Sequence, residues 1–189
     1  MLVAIAGGIG CGKSVVSRIV ETLGHEVYDC DRRAAAIMDE DAGLRRMIAE
    51  KVHPGSLAAD GSIDRKRLSE IVFDDYEALQ RLNAIVHAAV RDDLALWASR
   101  RRGKLLFVET AILYQSGIDR MVDAVWQVDA PVDLRIERVM ARNGVSREEV
   151  MARMASQDRY VADRVHPSTF LIVNDGVEAL LPQIEALLK

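Results

Sequence analysis

Before its fifteenth residue the chain spells Gly7-Gly8-Ile9-Gly10-Cys11-Gly12-Lys13-Ser14, and no other stretch limits the possible folds so sharply. The run fills every fixed position of G-x-x-x-x-G-K-[ST], the phosphate-binding P-loop. Leu2-Val3-Ala4-Ile5-Ala6 precedes it as a short apolar run of the kind a buried parallel strand needs. Val15, Val16, Ile19, Val20 and Leu23 follow at helical spacing, with Gly24 placed as a helix stop. Strand, glycine loop and helix form a unit that wraps backbone N–H groups around phosphate oxygens at the positive end of a helix. Lys13 is expected to reach the β- and γ-phosphates, and Ser14 to place its hydroxyl on a magnesium ion. A dinucleotide site is excluded at this turn, because Lys13 and Val15 stand where a G-x-G-x-x-G register needs its last glycine.

Acidic residues close the later strands. Glu26-Val27-Tyr28 reads as a second strand ending in Asp29-Cys30-Asp31, and Leu105-Leu106-Phe107-Val108 as a central strand ending on Glu109. The carboxyl edge of a parallel sheet is where such folds bind ligands. Beside a P-loop, these acids are candidates to accept the proton of an attacking hydroxyl, to hold the waters of a metal ion or to bind the acceptor. The residues alone do not divide those tasks among Asp29, Asp31 and Glu109. Ala124–Asp129 and Phe170–Val173 read as further strands, with Pro131 in the first turn of the helix between them and a last helix from Val177 to Leu188.

Between Arg32 and Gly103 the pattern turns helical. Ala34–Met38, Leu44–Val52 and Arg67–Phe73 look like short helices, broken at His53-Pro54-Gly55 and Asp60-Gly61. Leu79, Leu82, Ile85, Val86, Ala89, Val90, Leu94 and Trp97 mark one or two longer amphipathic helices. Arg100-Arg101-Arg102 is expected to cap a helix C-terminus. Further on, Arg138 and Arg142 share a helix face, with Arg135 one turn earlier, and Ser146-Arg147-Glu148-Glu149 is a capping box that opens a helix to about Gln157. Two helices joined at a glycine and carrying arginines look like the lid of a small-molecule kinase, able to stabilise a phosphoryl group in flight.

Composition closes off other classes. A net charge of −4 implies no general affinity for nucleic acid, and no apolar run is long enough to cross a bilayer. No secretory signal precedes the first strand, so a cytoplasmic location is expected. Cys11 and Cys30 have neither metal-site nor disulfide-scaffold spacing and read as two small buried thiols. A GTP-binding switch would need D-x-x-G and N-K-x-D, and the sequence contains neither. Another P-loop kinase for a small molecule or nucleotide remains the alternative, since it would share the loop, the acid and the arginines.

Taken together these motifs resemble the dephospho-coenzyme A kinase family over nearly the whole chain. Gly7–Ser14, Asp29-Cys30-Asp31, Asp60-Gly61, Arg65–Leu68, Ile71-Val72-Phe73, Leu82-Asn83 with His87, Val128-Asp129-Ala130-Pro131, Arg138, Arg142-Asn143-Gly144, Ser146, Gln157 and Asn174-Asp175-Gly176 follow the family's order. The chain departs from it at Ala88, where a proline is usual, at Ala35, where an arginine is common, and across Ala111–Gln115. The resemblance implies an α/β fold: a parallel five-stranded P-loop sheet with helices on both faces, a helical acceptor-binding insertion and a helical lid. The core would span residues 1–31 and 104–189, with the lid at about 138–157 and the insertion at 32–103. It further implies ATP as co-substrate with Mg2+, dephospho-coenzyme A as acceptor, and no nucleic acid, membrane or obligatory protein partner. Asp31, Lys13, Arg138 and Arg142 would be catalytic. Gly8, Ile9, Gly10, Cys11, Gly12, Lys13, Ser14, Val15 and Asn174 would hold the nucleotide, with Ser14 on the metal, and Asp29, Asp31, His87 and Glu109 would hold the acceptor.

Overall fold

Strand β1, Leu2–Ala6, is buried along its whole length. In the computed structural model, which describes residues 1–158 and 165–189, β1 lies at the centre of a five-stranded parallel sheet. The other strands are β2 (Glu26–Asp29), β3 (Leu106–Thr110), β4 (Ala124–Asp129) and β5 (Thr169–Val173), in the order β2-β3-β1-β4-β5. Parallel pairing on both sides explains why β1 and β3 read as continuous apolar runs rather than alternating ones.

The chain divides into two compact units, residues 1–29 with 101–189, and residues 30–100. In the sheet unit, helix α1 (Lys13–Thr22) follows β1 and leads to β2. Helices α6 (Val132–Asn143) and α7 (Arg147–Asp158) lie between β4 and β5, and α8 (Leu180–Leu187) follows β5. The connection leaving β1 runs toward one edge of the sheet, and the one leaving β4 toward the other. Right-handed crossovers therefore put α1 and the α6–α7 pair on opposite faces, and the crevice at the end of β1 is the topological switch point of the sheet. Val3, Ile5, Val16, Val20, Phe107, Trp126, Val128, Ile172 and Ile184 make the core under α1 and α8. The Phe107 and Trp126 rings meet at 4.9 Å between centroids. Each such large side chain contributes about 1.5–3 kcal/mol by leaving water.

The second unit is helical: α2 (Cys30–Glu40), α3 (Ala42–Lys51), α4 (Arg65–Asp74) and α5 (Tyr76–Ser99). Three of these begin on an aspartate whose carboxylate accepts from the first-turn amides: Asp41 from Gly43 and Leu44, Asp64 from Arg67, and Asp75 from Ala78. The apolar positions from Leu79 to Trp97 form one helix of 24 residues, against which α2, α3 and α4 all pack. Leu57 and Ile63 pair as a single antiparallel bridge, the one β feature of this unit among the described residues.

Three expectations are corrected here. The last helix starts at Leu180, not Val177. Pro182 cannot donate, and its ring would collide with the carbonyl four residues earlier. The Asp175 carboxylate instead takes the amides of Val177 at 2.8 Å and Glu178 at 2.9 Å in a local turn. Pro131 is the N-cap of α6 rather than its first turn. Of the three arginines after α5, Arg100 stands at the C-cap, whereas Arg101 joins Lys104 on the carboxylate of Glu26 at the start of β2. Those two cations hold the Glu26 carboxyl below the usual carboxylate range.

Candidate active site

The loop Gly7–Gly12 joins β1 to α1 with backbone φ values open only to glycine at Gly7, Gly10 and Gly12. At Gly12 (φ 97°), which is also the N-cap of α1, a Cβ would collide with the side-chain nitrogen of Asn174. No side chain among the described residues caps α1. Among the described residues the N–H groups of Gly10, Gly12, Lys13 and Ser14 take no protein acceptor, so the positive helix end stays open to an anion.

Lys13 Nζ donates to the carbonyls of Gly7 at 2.9 Å and Gly8 at 3.3 Å, which holds the ammonium over the loop. Ser14 Oγ donates to Glu109 Oε1 at 2.8 Å. Strand register explains that bond: Glu109 lies opposite Ile5 of β1 on one side and opposite Asp29 of β2 on the other, so both acids stand at the carboxyl edge. Asn174, buried just past β5, ties several parts together. Its backbone N–H donates to Asp129 at 2.8 Å, its side-chain amide donates to Cys11 O at 2.8 Å, and it accepts from Arg138 on both O (3.0 Å) and Oδ1 (3.2 Å).

A cleft of about 380 Å³ opens between α1 and α6, lined by Gly10, Gly12, Lys13, Ser14, Val15, Arg18, Arg138, Val139 and Arg142. Four cations and a row of open amides face this space, which is the chemistry of a polyphosphate site. Among the described residues Arg142 bonds only its neighbour Asn143, at 3.0 Å, and is otherwise exposed. The capping box is made as expected: Glu149 N donates to Ser146 Oγ at 3.2 Å, and Ser146 N donates to Glu149 Oε2 at 2.9 Å.

Of the residues singled out in the sequence, the sheet unit gathers Gly8–Val15, Glu109, Arg138, Arg142 and Asn174 around the loop, with Asp29 beside Glu109 in the sheet. Cys11 is buried under the loop as a free thiol. Asp31 and His87 belong to the helical unit. Asp31 stands in the first turn of α2, and His87 is half-buried midway along α5. Burial, and then the nearby Arg91 charge, pull the imidazole below its usual pKa and keep it neutral. Cys30, at the start of α2, is also buried.

The parts that three residues play around the loop were missed. Arg18 lines the cleft, and its place one turn beyond Ser14 on α1 was the available signal. Arg135 Nε donates to Ile9 O at 2.9 Å, and Gln157 Oε1 accepts from Ile9 N at 2.9 Å. These last two bonds span 126 and 148 residues, beyond the reach of any local pattern.

A P-loop on the central strand of a five-stranded parallel sheet, faced by arginines from a capped helix pair, defines the class of P-loop kinases. Within that class the chain belongs to the dephospho-CoA kinase family, whose model matches residues 1–179. It is 37% identical over 187 residues to the dephospho-CoA kinase of Porphyromonas gingivalis, covering 99% of this chain and 92% of that protein. With the dephospho-CoA kinase of Geobacter sulfurreducens it shares 42% identity over 159 residues, 82% of this chain and 81% of the other. Among solved structures, one from Thermus thermophilus superposes with a TM-score of 0.74 at 34% identity, covering 100% of this chain and 94% of its own. A dephospho-CoA kinase from Campylobacter jejuni gives 0.67 at 27% identity, covering 99% and 94%.

Proposed function

We propose that this chain transfers the γ-phosphoryl group of ATP to the ribose 3′-hydroxyl of dephospho-coenzyme A, releasing coenzyme A and ADP. The observation that carries the reading is the cleft itself: Lys13, Arg138, Arg142 and the open amides of Gly10, Gly12, Lys13 and Ser14 converge on one space. Phosphoryl transfer asks the protein for positioning and placed charge rather than covalent chemistry, and this cleft offers both.

In the step proposed, the 3′-oxygen bonds to the γ-phosphorus while the bond from that phosphorus to the β,γ-bridging oxygen breaks. The hydroxyl proton passes to the Asp31 carboxylate, and ADP leaves. Lys13 exchanges its loop carbonyls for phosphate oxygens. Arg138 and Arg142 take up charge on the transferring group, and Asn174 holds Arg138 in place for it. The helical unit, with His87, serves the acceptor, as do Asp29 and Glu109. The oxygen donors of Ser14 and Glu109, 2.8 Å apart, suit a hard divalent cation, so these residues would hold Mg2+. When bound, the ion would neutralise part of the charge on the β- and γ-phosphates. No helix among the described residues is long and apolar enough to cross a membrane. The free thiol of Cys11 fits a reducing compartment, which makes the cytoplasm the setting of this proposal.

The test is ADP release by the purified chain with ATP and magnesium, with and without dephospho-coenzyme A, and with the product examined for phosphate on the ribose 3′-oxygen. Strong stimulation with that product is expected. Equal ADP release with and without this acceptor would move the assignment to another hydroxylated substrate.

A further inference from the structure

The P-loop backbone is gripped from outside by side chains that reach it from far along the chain. A trans peptide points its C=O and N–H in opposite directions. Fixing one pole of a peptide plane therefore aims the other. The plane between Gly8 and Ile9 is fixed at its N–H by Gln157 of α7, which turns Gly8 O toward Lys13 Nζ. The next plane, between Ile9 and Gly10, is fixed at its carbonyl by Arg135 of α6, which turns the Gly10 N–H the other way. That N–H is one of the donors that takes no protein acceptor among the described residues.

Side-chain packing supports the same grip. Ile9 rests on the small core that Ile136, Val139, Val150 and Met154 form between α6 and α7. Glycine is needed at position 10 because the α6 backbone lies so close. A Cβ on Gly10 would come to 2.5 Å from Arg135 O, and one on Gly8 would collide with the Arg135 guanidinium.

We infer that Gln157 and Arg135 are positioning residues for phosphate binding: together they set the two peptide planes flanking Ile9, so that Gly10 N–H faces the polyphosphate and Gly8 O faces Lys13. This rests on the reading of the cleft as the ATP site. It assigns Arg135 a different task from Arg138 and Arg142, since its Nε is engaged on the loop itself. It also makes the α6–α7 pair part of the phosphate cradle through Ile9.

The experiment uses the full chain with Gln157→Leu, which removes a neutral acceptor at constant charge, and Arg135→Lys, which keeps the charge but not the planar guanidinium. Inorganic tripolyphosphate and adenosine are each titrated as inhibitors competing with ATP, and KM is measured for both substrates. Loss of one hydrogen bond should weaken tripolyphosphate by about fivefold to tenfold in each variant. Adenosine inhibition and the KM for dephospho-coenzyme A should stay within about twofold, a split that a general loss of structure would not produce. If Arg135→Lys fails to fold, Gln157→Leu carries the test alone. Wild-type affinity for tripolyphosphate in Gln157→Leu, or parallel weakening of adenosine, overturns the inference while leaving the ATP site standing. A wild-type chain that binds neither ATP nor tripolyphosphate removes the underlying reading instead.

Discussion

Arginines do different work in the helical unit and around the P-loop. In the helical unit three of them meet carboxylates: Arg33 grips Asp93 with two bonds of 3.0 Å, Arg65 grips Asp39 at 2.8 and 2.9 Å, and Arg81 lies 3.6 Å from both Asp75 and Glu77. Around the P-loop they meet neutral oxygens: Arg135 on Ile9 O, and Arg138 on the two oxygens of Asn174. An arginine paired with a carboxylate is largely neutralised, whereas one bonded to a carbonyl is held in place and keeps its charge for an anion. The contrast separates charge used to fasten helices from charge held in reserve for a ligand.

The largest test of that contrast is Lys13→Ala. Among the described residues its ammonium bonds only carbonyls of the loop, so the fold should survive while turnover falls by about a hundredfold or more. Turnover near wild type would show that the reserve is not used. Next comes Arg33→Met in the helical unit. With both partners about a third exposed, loss of the pair should cost about 1 kcal/mol or less in denaturant unfolding, with KM for ATP unchanged. A rise in that KM to match a loop variant would erase the distinction.

The smallest effect concerns His87, which the helical unit handles by burial. Its folded pKa lies below the unfolded value of 6.5, so the unfolded chain binds the proton more readily. The stability associated with the neutral ring is complete above that value and declines as pH falls through and below it. Tm profiles from pH 7.5 to 5 should therefore be flatter for His87→Gln than for the parent chain. Parallel profiles would mean that the imidazole carries no linkage.

How legible each part was depends on the distance over which its cause acts. The P-loop, the capping box at Ser146 and Glu149, and the strand-end acids were readable because each is decided within a few residues. The single long α5 was only half readable: apolar spacing marked its face, but the absence of a break between its two halves is a matter of packing against three other helices. The start of α8 was misplaced because amphipathic spacing outweighed Pro182 and the Asp175 turn, though both signals were in the sequence. Arg101 was misassigned because its partner, Glu26, lies 75 residues away. Gln157 was visible only as a family position, and Arg135 only as a third basic residue on a helix. Neither pattern says that a side chain will reach back to the loop.

The span of those bonds has a consequence for how the chain acquires its site. Cys11 O waits for Asn174, 163 residues later, and Ile9 for residues 126 and 148 positions away. Contacts of such sequence separation close late, because the intervening chain must be ordered first. During synthesis the motif that names the site emerges first, yet it lacks its shape until the final strand has docked beside β4. A phosphate site shaped in this way would need α6, α7 and the segment after β5 as much as the loop itself.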